Sequence, residues 1–110
     1  MTVKEIENID FDKSGGIVPV IVQDSNSKDI LTLAYTNRES LELTKKTGNS
    51  WFWSRSRNKL WMKGEESGNT QKVKKILVDC DSDAIIYLVE PSGAACHTGE
   101  RTCFHNNMEF

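Results

Sequence analysis

Gln71-Lys72-Val73-Lys74-Lys75-Ile76-Leu77-Val78-Asp79-Cys80-Asp81-Ser82-Asp83-Ala84-Ile85-Ile86-Tyr87-Leu88-Val89 is two apolar runs on either side of an acidic link. Gln71 to Asp79 reads as one strand, through Val73, Ile76, Leu77 and Val78. Ala84 to Val89 reads as another, stopped by Pro91-Ser92-Gly93. Asp79, Asp81, Asp83 and Glu90 also fall at positions one, three, five and twelve of a calcium-binding helix–loop–helix loop. That alternative fails at position six, where Ala84 stands in place of the glycine that the sharp turn requires. It fails again because a strand, with no flanking helix pair, follows the acids. The link therefore joins strands, and the chain is mostly β.

The same punctuation runs upstream. Residues 1 to 16 are polar and end in Ser14-Gly15-Gly16, which releases the chain into a β-branched strand, Ile17 to Gln23. Pro19 places that strand at an edge, or itself near the strand's start. Asp24 to Asp29 is a polar turn before a second strand, Ile30 to Tyr35, and the two form a hairpin. Thr36 or Asn37 caps a helix over about 37–47, with Glu39 in its first turn, Lys45 and Lys46 near its end and Gly48 stopping it. Trp51-Phe52-Trp53 opens a strand that continues through Ser54-Arg55-Ser56-Arg57-Asn58-Lys59 towards Leu60-Trp61-Met62-Lys63, before a flexible Gly64–Asn69 stretch. The tail from Phe104 has little pattern. The expected architecture is α+β: one domain over residues 1–110, mainly sheet, with one short helix.

A chain of 110 residues, 37% hydrophobic and 27% charged, can bury one modest core, and a domain of this size often gains buried area by oligomerising. A net charge of -2 argues against general nucleic-acid binding. No apolar run approaches the roughly 20 residues of a membrane span, and the acidic N-terminus lacks signal-peptide character. The expected location is the cytoplasm. There, three cysteines spaced by 16 and 7 favour metal binding or catalysis over a disulfide framework.

Asp79, Asp81 and Asp83 alternate, so in an extended strand they share a face, and Cys80 points to the other. Converged carboxylates repel and raise one another's pKa unless a cation sits among them; hard oxygen donors suit Mg²⁺, Mn²⁺ or Ca²⁺. A solvated acidic turn is the competing reading. Cys80, Cys96 and Cys103 are either small buried hydrophobes or thiolates that leave a fourth zinc position open to water. Cys96 and Cys103 lie in polar, glycine-punctuated sequence, which favours the second. His97, beside Cys96, suits a zinc ligand, a general acid–base or a donor in the turn, and His105 has weaker claims. If residues 51–63 are extended, Trp51, Trp53, Arg55, Arg57, Lys59, Trp61 and Lys63 form one basic, aromatic face fit for a phosphorylated nucleotide. The plainer reading is a solvated strand with core tryptophans.

Four ordered motifs together closely resemble phosphoribosyl-AMP cyclohydrolase of histidine biosynthesis. They are Trp53-Ser54-Arg55-Ser56-Arg57, Leu60-Trp61-Met62-Lys63-Gly64-Glu65-Glu66-Ser67-Gly68-Asn69, Asp79-Cys80-Asp81-Ser82-Asp83-Ala84, and Ala95-Cys96-His97-Thr98-Gly99-Glu100-Arg101-Thr102-Cys103-Phe104. Val22-Gln23-Asp24 and Leu33-Ala34-Tyr35-Thr36-Asn37 fit the family's early part, so the resemblance spans roughly residues 10 to 104. Thr36 departs from an expected methionine and Thr102 from a common serine; neither is a proposed ligand. The resemblance implies hydrolysis of the N1–C6 bond of the adenine ring in 1-(5-phosphoribosyl)-AMP, by the form without a second, pyrophosphohydrolase domain. It implies zinc on Cys80, Cys96 and Cys103, magnesium on Asp79, Asp81 and Asp83, and a homodimer whose zinc site draws cysteines from both subunits. In the mechanism that follows, zinc-activated water attacks C6 while His97 assists proton transfer. Arg55, Arg57, Lys59, Lys63 and Arg101 are the candidates for the two phosphates. The H-x-E and P-C-x-x-C signature of zinc deaminases is absent. The rival to an enzyme is a zinc-stapled nucleotide- or RNA-binding module, closed by His97 or His105.

Overall fold

The computed structural model describes residues 3–110. In chain order it contains β1 (Val18–Asp24), β2 (Ile30–Thr36), α1 (Arg38–Thr47), β3 (Trp51–Ser54), β4 (Lys59–Met62), β5 (Gln71–Val78) and β6 (Ile85–Pro91), preceded by 3-10 turns at Ile6–Asn8 and Asp12–Ser14. Sheet dominates and one α-helix accompanies it, the α+β class that the sequence implies.

Four strands form a mixed sheet in the order β2-β1-β6-β5. β1 and β2 make the expected hairpin, β5 and β6 pair antiparallel across the acidic link, and β1 and β6 run parallel at the centre. β1 is thus not an edge strand. Pro19 is tolerated because it precedes the β1–β6 ladder, which begins at Val20↔Ile85.

The period of two sorts side chains onto the faces. Val18, Val20 and Val22 of β1 and Ile85, Tyr87 and Val89 of β6 are fully or almost fully buried on one face, covered by Leu41 of α1 and Phe52 of β3. Helix α1 starts where Asn37 accepts the Ser40 N–H while Ser40 accepts the Asn37 N–H, and it ends at Gly48 in the left-handed region. A polar knot ties these layers: the Tyr87 hydroxyl contacts Thr36 and Thr44 hydroxyls and the Trp51 carbonyl at 3.3–3.4 Å. Burial pushes the Tyr87 pKa up, so it stays a neutral donor there. On the opposite face the register aligns Leu33, Ile21, Ile86 and Leu77 across all four strands. Leu33 is 46% exposed.

One expectation is overturned. Residues 51–63 are not one extended strand but a hairpin, with β3 and β4 paired Trp51↔Met62, Phe52↔Trp61, Trp53↔Leu60 and Ser54↔Lys59. The chain reverses over Arg55–Asn58, where Asn58 takes a positive φ of 53° and the Ser54 hydroxyl accepts the Arg57 N–H. In this register odd positions of β4 lie opposite even positions of β3. Trp61 therefore packs on buried Phe52, at 4.9 Å between ring centroids, and the single basic, aromatic face does not form. Nor are Trp51 and Trp53 core residues; both are only half-buried.

Candidate active site

Two ligand clusters sit at opposite ends of the four-stranded sheet. At the end where β1 finishes and β2 begins, the segment after β6 folds into a loop held by Ala95 N–H to Arg101 C=O and Cys96 N–H to Glu100 C=O, both 3.1 Å. The Cys103 N–H reaches the Leu31 carbonyl at 2.8 Å, and the Thr102 hydroxyl donates to the Ile30 carbonyl, so the loop is hung on the edge of β2. This brings the Cys96 and Cys103 thiols close enough for each to shift the acidity of the other. The Thr98 hydroxyl, 3.0 Å from Cys96 Sγ, leads in holding that thiol below its ordinary pKa, with a smaller contribution from the nearby His105 charge. Burial pushes Cys103 the other way.

At the other end, Asp79, Asp81 and Asp83 each place a carboxylate oxygen within 4.8 Å of the others. They converge as expected, but not on extended backbone. Residues 79–84 are a tight turn with Ser82 at φ 62°, in which the Asp79 carboxylate accepts the N–H groups of Asp83 and Ala84 at 3.0 and 3.2 Å. The Lys13 ammonium supplies the compensating charge, 3.3 Å from Asp81 and 2.7 Å from Asp83. It is the chief reason that Asp83 is lowered to about 2. Lys4 donates to the carbonyls of Asp79 and Cys80, both at 3.2 Å, and pins the turn from the N-terminal side.

Cys80 projects into solvent from this turn. Seven residues of β1 separate the two ends, roughly 20 Å at the rise of a strand. Cys80 therefore does not meet the thiol pair within this fold, and the three aspartates are the only three-residue ligand cluster among the described residues. The donor chemistry fits both metals: three hard oxygens suit magnesium, and soft thiols suit zinc. The thiol set, however, has two members, Cys96 and Cys103, at that end of the chain.

A cavity of about 530 Å³ opens beside the thiol pair, and Cys96, His97, Arg57, Lys63, Trp61 and Asn69 are among its lining residues. Arg57 and Lys63 thus meet His97 in one space. Lys59 lines neither this cavity nor a second one beside it, where Arg55 lies 3.8 Å over the Tyr35 ring. Arg101 is committed elsewhere. Its guanidinium donates to Asp24 and Asp29 carboxylates and, at 2.9 Å, to the Ser27 hydroxyl, tying the thiol loop to the β1–β2 turn. Asp24 is itself buried; its pKa is lowered first by the Asn26 N–H and further by Arg101.

Gly64–Asn69, expected from the sequence as a flexible stretch, forms a wall of the larger of these two cavities and adds Glu65, Glu66 and Asn69 to it. The signal was Gly64. A Cβ there would stand 2.4 Å from the Thr70 nitrogen, and its φ is +86°, so only glycine closes the turn. Nothing local pointed to Lys13, 68 and 70 residues from its carboxylate partners.

A family model described as phosphoribosyl-AMP cyclohydrolase matches residues 32–105. The chain is 79% identical over 106 residues to the phosphoribosyl-AMP cyclohydrolase of Nitrosopumilus maritimus, covering 96% of this chain and 98% of that protein. It is 59% identical over 101 residues to that of Methanospirillum hungatei, covering 92% and 76%. A histidine biosynthesis bifunctional protein of Thermus thermophilus is 57% identical over 104 residues, 94% of this chain and 48% of that protein.

Proposed function

The chain belongs to the phosphoribosyl-AMP cyclohydrolase family, and from that membership we propose that it opens the adenine ring of 1-(5-phosphoribosyl)-AMP at N1–C6, a step of histidine biosynthesis. The supporting observation is the cavity that gathers the Cys96 thiol, His97, Arg57 and Lys63 around one space. One water is consumed: its oxygen becomes the carboxamide oxygen on C6, and N1 leaves with a proton. His97, on the cavity wall, moves that proton. Arg57 and Lys63 bring cationic donors to a phosphate, and Trp61 gives the ring system an apolar wall.

Cys96 and Cys103 would hold zinc together with Cys80 of a second subunit. Bound there, zinc would lower the pKa of a water ligand so that hydroxide is available near neutral pH. Asp79, Asp81 and Asp83 would hold magnesium in place of the Lys13 ammonium. The homodimer is supported by the aligned row Leu33, Ile21, Ile86 and Leu77 on the uncovered sheet face. A two-fold axis through that face, perpendicular to the strands, reverses the strand direction and sets the Cys80 end of one subunit against the thiol end of the other.

The test is turnover by chelator-stripped protein given zinc and magnesium separately and together. Ring opening that returns with the metals supports the reading; a folded, metal-loaded protein without turnover defeats it. One observation favours the rival binding module. The His105 Nδ1 lies 2.9 Å from the Thr102 carbonyl, two residues after Cys103, an arrangement that turns the Nε2 to a metal as the free ring nitrogen. In an open site His105→Gln retains zinc and turnover, whereas in a closed one it loses zinc.

A further inference from the structure

We propose that the substrate's two 5′-phosphates are held in separate cavities divided by the β3–β4 hairpin, with Arg57 and Lys63 taking the phosphate of the N1 arm and Arg55 that of the AMP arm. This rests on the ring-opening reading above, which supplies a ligand with phosphoribosyl groups at N1 and N9, on different rings of the purine.

The turn between β3 and β4 parts its two arginines. Arg57 lines the cavity of about 530 Å³ with Cys96 and His97. Arg55 turns into a neighbouring cavity of about 480 Å³, lined also by Tyr35, Trp53, Ser54 and Ser56. Ser54 and Trp61 line both, so the two cavities share a wall that the ring system can cross. The Arg55 Cζ lies 3.8 Å over the centre of the Tyr35 ring, a cation–π contact that holds the guanidinium in this cavity while its N–H groups remain available to an anion. The Ser54 and Ser56 hydroxyls beside it, 3.4 Å apart, add donors of the kind phosphate oxygens accept.

Charge accounting separates these side chains from Arg101. Among the described residues Arg55, Arg57 and Lys63 have no carboxylate within ion-pair distance, whereas Arg101 has two. Cations left free beside a cavity are available to a dianion, and one already neutralised is not. The assignment of arms follows from connectivity. C6 is bonded to N1, so the N1 arm stays in the cavity that holds Cys96 and His97. N9 belongs to the other ring, and its arm crosses the Ser54–Trp61 wall.

AMP carries only the second arm, which makes it the probe. Calorimetric affinity for AMP would be measured on the zinc-loaded protein and on Arg55→Gln, Arg55→Lys and Arg57→Gln, with zinc content and melting temperature confirming that each is folded. Arg55→Gln should weaken AMP by about tenfold or more, the worth of a charge-assisted phosphate contact. Arg55→Lys should recover part of that loss, and Arg57→Gln should stay within about twofold of the wild type on the same scale. Both glutamine variants should raise KM for the full substrate. Equal losses of AMP affinity in both, the reverse pattern, or no AMP binding to the wild type overturns the proposal. Absence of ring opening by the wild type defeats instead the reading on which it rests, and that assay is independent of AMP binding.

Discussion

The two ends of the sheet assemble ligands in contrasting ways. The acidic turn is finished locally: six residues between adjacent strands converge three carboxylates, and only two lysines, Lys4 and Lys13, are borrowed from far away. The thiol end is built from distance. Its loop is fastened to β2 by the Cys103 N–H and the Thr102 hydroxyl and to the β1–β2 turn by Arg101, and it still presents two sulfurs where a catalytic zinc takes three protein ligands. A cluster complete within a hairpin needs only the hairpin to fold. If Cys80, roughly 20 Å away, is the thiol end's third ligand as proposed, that site needs a second chain, and activity would be coupled to assembly.

The largest effect that separates the two ends comes from subunit mixing. Cys80→Ala and Cys96→Ala should each cost several kcal/mol of transition-state stabilisation, a rate loss of about a thousandfold or more. Unfolded and refolded together in equal amounts, they should recover about a quarter of wild-type turnover. Half the dimers are then mixed, and each mixed dimer holds one intact site. No recovery would place all three ligands in one protomer or remove one from the site. Next in size is Arg101→Leu. It strips the cation from a carboxylate only 10% exposed and should lower unfolding free energy by about 1–3 kcal/mol. It should also weaken zinc binding without touching the acidic turn's affinity for magnesium. Unchanged zinc affinity would mean that the Cys103 and Thr102 bonds to β2 suffice to hold the loop.

What the sequence disclosed follows the same division. The acidic cluster, the helix with its Asn37 cap and Gly48 stop, and the strands flanking the link were readable because their determinants lie within a few residues of one another. The reason offered for the carboxylates was extended backbone, yet a turn with Ser82 in the left-handed region does the work. Alternation cannot tell those apart over five residues. The β3–β4 reversal was missed because Ser-Arg-Ser-Arg continues the alternation, and only Asn58 marks the turn. Arg101 stands among the phosphate candidates in the sequence while the structure pairs it with Asp24 and Asp29, 77 and 72 residues away, and no local pattern reports such a pairing. Sheet order, which fixes Cys80 at the far end, is likewise a property of long-range pairing.

The smallest effect separates the ends by pH. Asp83 at the acidic end and Asp24 near the thiol end are both more acidic folded than unfolded. In both cases the unfolded chain takes up its proton first as pH falls, from about 3.9 downward. The stabilisation is therefore fully present above roughly pH 5 and is lost as the folded groups protonate, at about 2 for Asp83. The causes differ, however. Lys13 dominates at Asp83, so Lys13→Met should flatten the fall in urea midpoint of the metal-free protein between pH 5 and pH 2. At Asp24 the Asn26 N–H is the leading cause and Arg101 a lesser one, so Arg101→Leu should lower the whole curve while keeping most of its slope. Equal flattening in both variants would mean that the β1–β2 turn does not hold Asp24 by its own backbone. The difference between a carboxylate held by its turn and one held by a distant lysine would then be lost.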